Sequence, residues 1–324
     1  MVISKEALSS GKHGQSVKGV VLIKHYAKKQ TKTGKDYIEG QVMNGVPVQF
    51  KVWSGSLALS KLLSEDYSNV PTMISGTWDE YMGSLSIVVD DVCAAEGYTP
   101  VDFMESPYNM ESYCQAIVSL CQKNLSPKCM ALANTFIFNN EAVFSRFKEE
   151  FAAMGHHDNC KGGLLVHTYK ALCLMSWVLR TYDTLLSDGD ASTDNLEQRR
   201  SDRRDLLMFG TLIHDIGKID EMQYGVYQPN SAISHRILGL DYLFAHKDDI
   251  IATYNEKWYR DLQSIIVEHH DEWADPCRTV VSYVVNRVDV LDAQLTGLCQ
   301  NIEQKLIEDS TGAKVFMDSK PLSL

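Results

Sequence analysis

The chain has 324 residues, enough for two domains with cores of their own, and 23% charged with 44% hydrophobic residues is the balance of an ordinary water-soluble globular protein. No apolar run approaches the ~18–20 residues of a membrane span, and Met1-Val2-Ile3-Ser4-Lys5 lacks the pattern of a secretory signal, so a membrane or exported protein is not expected. Eight cysteines without CxxC spacing argue against a zinc ribbon or a disulfide framework, and predict reduced, mostly buried thiols in a cytoplasmic protein.

The net charge of −11 at first argues against a polyanionic partner, but its distribution is uneven. Residues 1–63 hold ten lysines against Glu6, Asp36 and Glu39, hence +7, which leaves −18 for the remainder. A basic head on an acidic body suits an N-terminal polyanion binder joined to a cation-collecting domain. A solvated lysine surface fits the charge equally well.

Residues 1–14 read as a flexible polar lead-in. From Ser16 the pattern turns to strands: SVKGVVLIKHY, DYIEGQVM and VPVQFKVW, with Asn44-Gly45 predicting a type I′ hairpin between the second and third. A short helix over 56–64 follows, then VPTMISGTWDEY and GSLSIVVDDV, joined near Met82-Gly83. Five strands with a helix between the third and fourth is the order of an OB barrel, predicted over 15–93; a small antiparallel barrel of another type is the alternative. The first connection carries Lys28, Lys29, Lys32 and Lys35, and Tyr26, Tyr37, Phe50 and Trp53 are the aromatics for stacking on bases, about half of which must instead serve the core.

Residues 94–109 contain Gly and Pro, break the periodicity and read as a linker. From Met110 to 309 the pattern is helical, interrupted by the polar insertion 187–204, an exposed loop or short polar helix; 310–324 form a tail with one apolar patch at Val315-Phe316-Met317.

Within the helical region Asp205–Glu221 is an apolar run that ends in His214-Asp215 before Gly217. His167, His235, the pair His269-His270 and Asp289 sit in or beside other apolar helical runs, where an unpaired charge is costly. Any one of these is more often a hydrogen-bonded core residue than a ligand. Together, in the order H…HD…H…HH…D, they describe a buried cluster that shares metal ions. A carboxylate has two oxygens and can bridge two cations, whereas a neutral imidazole offers one directed nitrogen.

The segments GGLLVHT, LIHDIGKIDE, ISH, VEHHDE and RVDVLDAQL resemble the HD-domain metal-dependent phosphohydrolases. With HHDNC upstream, the chain resembles more closely the YhaM-type 3′→5′ exoribonucleases, in which a nucleic-acid-binding OB domain precedes an HD domain. The implied fold is multidomain α and β: a five-stranded OB-like barrel, then an all-α HD bundle. The resemblance implies that His167, His214, Asp215 and Asp289 hold one metal, and that Asp215 bridges to a second held by His235, His269 and His270. Mixed imidazole and carboxylate ligands suit Mn²⁺, Fe²⁺ or Zn²⁺ better than Mg²⁺, and the resemblance implies manganese. Lys218 would stand near the phosphate, or alternatively be an ordinary helix-end lysine. His156 and His157 would contact substrate or support the site, Glu268 and Asp271 would flank it, and Asp292 would be structural.

The expected activity is hydrolysis of single-stranded RNA, or DNA, to nucleoside 5′-monophosphates, with no membrane partner and with the oligomeric state open. Two alternatives stand beside it. One is a nucleotide or cyclic-dinucleotide phosphohydrolase. The other is a nucleic-acid-binding protein with an inactive HD domain.

Overall fold

The computed structural model describes residues 1–31, 33–81, 83–153, 158–227, 233–270, 276–308, 314–317 and 320–323. The chain divides into two compact units, Met1–Glu105 and Ser106–Leu324.

In the first unit, β1 (Ser16–Gln30), β2 (Asp36–Asn44), β3 (Val46–Val52), β4 (Val70–Tyr81) and β5 (Ser84–Ala94) close a barrel in the order β1-β2-β3-β5-β4. β3 and β5 run parallel and the other pairs antiparallel, which is the OB order. β1 can serve two neighbours because it is long. Its first half pairs with β4 and its second with β2, and the register shift between Ile23 and His25 bends it from one to the other. Alternating side chains fill the interior: Val21, Ile23, Ile38, Val42, Phe50, Val52, Ile74 and Ile87 are buried. Full burial of a residue such as Phe50 stabilises by about 1.5–3 kcal/mol. The helix between β3 and β4, Leu57–Ser64, is capped by Ser56, whose hydroxyl accepts from the Leu59 amide.

Several expectations need correction in this unit. Residues 1–14 are not a flexible lead-in: a helix spans Lys5–Ser9, Val2 bridges to Val20, and Ile3 and Leu8 are buried in the barrel core. Two apolar residues five apart are too sparse to show periodicity, so the sequence hid them. The Asn44-Gly45 turn is not type I′. Gly45 has φ of 70°, but Asn44 stays in β2 and donates its side-chain amide to the Ile3 carbonyl at 2.7 Å. Most of the linker 94–109 also folds with the barrel. A 3₁₀ turn at Pro100–Phe103 buries Phe103, whose carbonyl accepts from the Gly45 amide at 2.9 Å.

The second unit is helical. Numbering the Lys5–Ser9 and Leu57–Ser64 helices α1 and α2, it contains α3 (Met110–Asn124), α4 (Pro127–Ala133), α5 (Glu141–Glu149), α6 (Gly163–Thr181), α7 (Leu196–Ile213), α8 (Lys218–Glu221), α9 (His235–Ala245), α10 (Lys247–Thr253), α11 (Glu256–Glu268) and α12 (Val280–Glu308). α6 packs against α3, α7 and α12, and α11 against α7, α9 and α12, around Phe136, Phe147, Leu172, Phe209, Leu262 and Ile265. Two short ribbons join these helices: Met222–Gln223 with Val226–Tyr227, and Lys314–Met317 with Lys320–Ser323 inside the expected tail.

The polar insertion 187–204 is only half a loop. Its residues from Leu196 onward are the first turns of α7, the helix that ends at His214. Arg199 ties the loop down through the Ser192 carbonyl, Asp188 and Asp190. None of the eight cysteines is in a disulfide, yet only Cys121 and Cys129 are buried, so the expectation of mostly buried thiols fails. No described helix is long and apolar enough to cross a membrane.

In β4, a Cβ at Gly76 would lie 2.1 Å from the Val88 carbonyl oxygen of β5. Gly76→Ala must therefore push β4 from β5. We expect a loss of about 1–3 kcal/mol, the usual cost of overpacking, read as a lower denaturation midpoint of the full chain.

Candidate metal centre and nucleic-acid surface

Five helices and two glycine contacts build the centre. α6 is capped at its start by Gly162, with φ of 80°, and a Cβ at Gly163 would sit 1.9 Å from the Asp158 carbonyl; the tight packing sets His167 one turn into the helix. α7 brings His214 at its end, and Asp215 follows in a turn closed by the Lys218 amide donating to the Asp215 carbonyl at 3.0 Å. At Gly217 a Cβ would lie 1.9 Å from the His235 carbonyl, so only glycine lets this turn approach the start of α9. His269 caps α11 and Asp289 faces inward from α12.

Asp215 is buried and its two oxygens face different groups of donors. Oδ2 lies 3.7 Å from His167 Nε2 and 3.5 Å from His214 Nε2, and these two nitrogens are 3.2 and 3.8 Å from Asp289 Oδ1. Oδ1 lies 3.6 Å from His235 Nε2 and 3.4 Å from His269 Nε2, while His270 Nε2 is 2.9 Å from His235 Nε2. All seven predicted ligand residues are thus brought together.

The far nitrogens of the rings are anchored. His167 Nδ1 contacts Asp292 Oδ2 at 2.7 Å, His214 Nδ1 the Thr211 carbonyl at 2.8 Å, His235 Nδ1 Glu221 Oε2 at 2.9 Å, and His269 Nδ1 the Ile266 carbonyl at 2.8 Å. Each Nδ1–H donated outward leaves the Nε2 lone pair pointing into the centre, the usual arrangement of metal-bound histidine. Two buried atoms, Asp215 Oδ1 and His269 Nε2, have no hydrogen-bond partner. Buried polar atoms are rarely left so, and a divalent cation between them satisfies both; the donor set fits such an ion.

Electrostatics agree. Desolvation opposes the charge on Asp215 and Asp289, but Lys218 with the neighbouring imidazoles at Asp215, and His167 with His214 at Asp289, outweigh it and hold both carboxyls well below the usual carboxylate range. Burial lowers His269, and burial with the adjacent His269 drives His270 down to about 3, so both stay neutral and able to ligate. His167 goes the other way: burial lowers it, but Asp289 and Asp292 more than compensate and raise it to about 10 in the metal-free chain.

Lys218 is buried rather than solvent-facing. Its buried ammonium donates to the Ala152 carbonyl at 2.7 Å and pairs with Asp215 Oδ2 at 2.6 Å. Glu268 does not touch the histidines through its side chain; Oε2 accepts from the Ser282 hydroxyl at 2.6 Å and the Arg278 amide at 2.9 Å. Glu221 had no assigned role, yet its two oxygens take both the backbone amide and Nδ1 of His235. A carboxylate one turn past Lys218 was visible in the sequence, but its pairing with His235, 14 residues further on, was not. His156, His157 and Asp271 lie outside the described residues.

On the barrel, the four candidate aromatics divide evenly. Phe50 is fully buried, and the Tyr26 hydroxyl donates to the Leu62 and Glu65 carbonyls while accepting from the Tyr67 amide. Tyr37 and Trp53 stack on each other at 5.2 Å with Trp53 41% exposed. Of the lysines, Lys28 pairs with Asp36 at 2.7 Å and Lys29 with Glu39 at 2.6 Å, so half of the expected basic cluster already has carboxylate partners. Lys35 is exposed in the β1–β2 turn, and Lys32 lies outside the described residues.

Ligation requires His167 to give up its proton. Below about pH 6.5 its charge stabilises the metal-free fold fully, and that contribution fades as the pH rises towards 10. Metal binding near pH 7.5 should therefore release about one proton per chain, read by calorimetry in buffers of different ionisation enthalpy. Mn²⁺ at a hundred times its Kd should stabilise the fold by about 2.7 kcal/mol per ion. Asp215→Ala should abolish both effects, and wild-type metal occupancy in that variant would refute a shared carboxylate.

Residues 164–294 match the family model described as HD domain, the span that holds six of the seven converging side chains in α6 to α11 and the seventh, Asp289, in α12. Proteins named 3′-5′ exoribonuclease YhaM are similar along most of the chain. That of Oceanobacillus iheyensis is 20% identical over 95% of this chain and 93% of its own length. That of Halalkalibacterium halodurans is 21% identical over 90% and 87%, and that of Listeria welshimeri 21% over 87% and 86%. The helical unit thus carries an HD domain, and the chain as a whole resembles the YhaM-type proteins.

Proposed function

We propose that this protein is a metal-dependent 3′→5′ exoribonuclease that hydrolyses single-stranded RNA to nucleoside 5′-monophosphates. The observation that carries the reading is the Asp215 carboxylate, whose two oxygens each face a separate set of imidazoles. In this reading His167, His214, Asp215 and Asp289 hold one ion, and Asp215, His235, His269 and His270 a second, with manganese favoured. A bound pair of ions supplies an activated water and neutralises the non-bridging phosphate oxygens.

The chain's own residues supply the rest. Asp292, Thr211, Glu221 and Ile266 hold the imidazoles with their lone pairs inward, and Asp289 and Asp215 bring the negative charge that retains cations. Lys218 fixes Asp215 and places a positive charge at the centre, where it would steady charge developing on a phosphoryl oxygen. The stacked Tyr37 and Trp53 offer an exposed aromatic face on an OB barrel, the kind of surface on which single-strand bases stack without sequence preference. The 3′ polarity and the RNA preference rest on the names of the relatives. Cysteines outside any disulfide suit a reducing compartment, and the proposal includes a cytoplasmic location.

With Mn²⁺, 5′-labelled single-stranded RNA should shorten into a ladder and release nucleoside 5′-monophosphates. Nucleoside triphosphates and cyclic dinucleotides are the counter-substrates: rapid turnover of either with the RNA intact would replace this reading with a nucleotide phosphohydrolase. Trp53→Ala should weaken single-strand binding by about 1–3 kcal/mol, the usual worth of one stacked base, while hydrolysis of a small chromogenic phosphodiester is kept.

A further inference from the structure

A third group of acidic and imidazole side chains, Asp158, His167 and Asp292, lies on the side of His167 away from Asp215. It already holds a cation, the ammonium of Lys170. Lys170 Nζ is 2.7 Å from Asp158 Oδ2, 2.5 Å from the Thr296 hydroxyl and 3.6 Å from Asp292 Oδ1. Asp158 is fully buried and its other oxygen accepts from the Tyr108 hydroxyl at 2.7 Å. Asp292 in turn meets His167 Nδ1 at 2.7 Å, and the Thr296 hydroxyl reaches Asp292 Oδ1 at 3.4 Å.

The arrangement follows from helical spacing. His167 and Lys170 are one turn apart on α6; Asp289, Asp292 and Thr296 occupy successive turns of α12. Where the helices face each other, the two α6 residues interlock with the three on α12: Asp289 and Asp292 clasp the two nitrogens of His167, and Asp292 and Thr296 clasp Lys170. A buried carboxylate that must orient a ligand has to remain ionised and fixed in direction. Asp292 is buried, and the nearest cation outside the metal centre is Lys170, itself held by Asp158 and Thr296. Lys170 is also the member of the chain that reaches solvent. It is 28% exposed and lines a cavity of about 670 Å³ with Tyr108, Tyr113, Asp292, Leu295 and Thr296.

We infer that Lys170, supported by Asp158, is a positioning residue that acts through Asp292 to set His167 for one of the two metal sites and not the other. The inference rests on the reading of His167 as a ligand. The four contacts at His235, His214 and His269 involve neither Lys170 nor Asp158, which is why the effect is confined to the site His167 serves.

The test is Mn²⁺ binding to the full chain after chelation, by calorimetry and metal analysis, with no substrate present. Lys170→Met keeps the length of the side chain and removes its charge. It should weaken one ion by about 10- to 100-fold, the range for lost support of a metal ligand, and leave the other unchanged. Lys170→Arg should keep both ions, and in Lys170→Met raising Mn²⁺ should restore the maximal rate without altering KM for RNA. Asp158→Asn, nearly isosteric, should show the same one-ion loss and covers the case in which Lys170→Met does not fold. Wild-type affinity for both ions in Lys170→Met and Asp158→Asn overturns the inference. So does an equal weakening of both ions with a lowered melting temperature of the chelated chain, which is the mark of a merely structural lysine. A wild-type chain that binds no metal overturns the two-ion reading itself, and the inference with it, and is told apart by the wild-type titration alone.

Discussion

The structure depends on one shared carboxylate. Asp215 is buried where five helices converge, and each of its oxygens is within 3.7 Å of two imidazoles on different elements. An ionised carboxylate at that depth is costly, and the surrounding chain is arranged to compensate it. Lys218 pairs with it, the histidines offer it their Nε2 edges, and outside them stand Asp292, Glu221 and two backbone carbonyls on the Nδ1 edges. The glycines at 163 and 217 belong to the same solution, since a Cβ at either would force apart the backbones that set His167 and His235 in place.

This arrangement explains why the centre spans a long stretch of sequence. No single element can present seven ligating side chains to a common point, because a helix shows one face to the core and returns to it only every three or four residues. Five helices therefore contribute one or two of these side chains each from their ends or inner faces. The interlocked pairs of α6 and α12, and the Glu221 carboxylate that takes the amide and ring of His235, convert the packing of helices into the alignment of imidazoles. Helix packing and imidazole alignment are one set of contacts here. The barrel unit follows a different logic: its core is apolar, and its chemical features, the Tyr37–Trp53 stack and the lysine-bearing β1–β2 turn, are at its surface.

What the sequence by itself determined was the set of residue types and their periodicity. His and Asp in apolar runs are conspicuous because burial without a partner is so unfavourable, and that contrast disclosed all seven residues now gathered at Asp215. Strand alternation and the helix after the third strand likewise disclosed the barrel. Tertiary structure alone decided everything that depends on distance between remote residues. The sequence could say that half the aromatics serve the core but not which; closure of the barrel buried Phe50 and left Trp53 at the surface. Lysines 28 and 29 looked like free charges until strand pairing set Asp36 and Glu39 beside them. Ile3 and Leu8 were lost in a polar lead-in because two residues make no pattern, and only the finished barrel gives them an interior to enter. Lys170 and Glu221 were ordinary surface-type charges in the sequence; their partners stand 12 to 126 and 14 residues away, a separation that local spacing cannot convey and that folding alone closes.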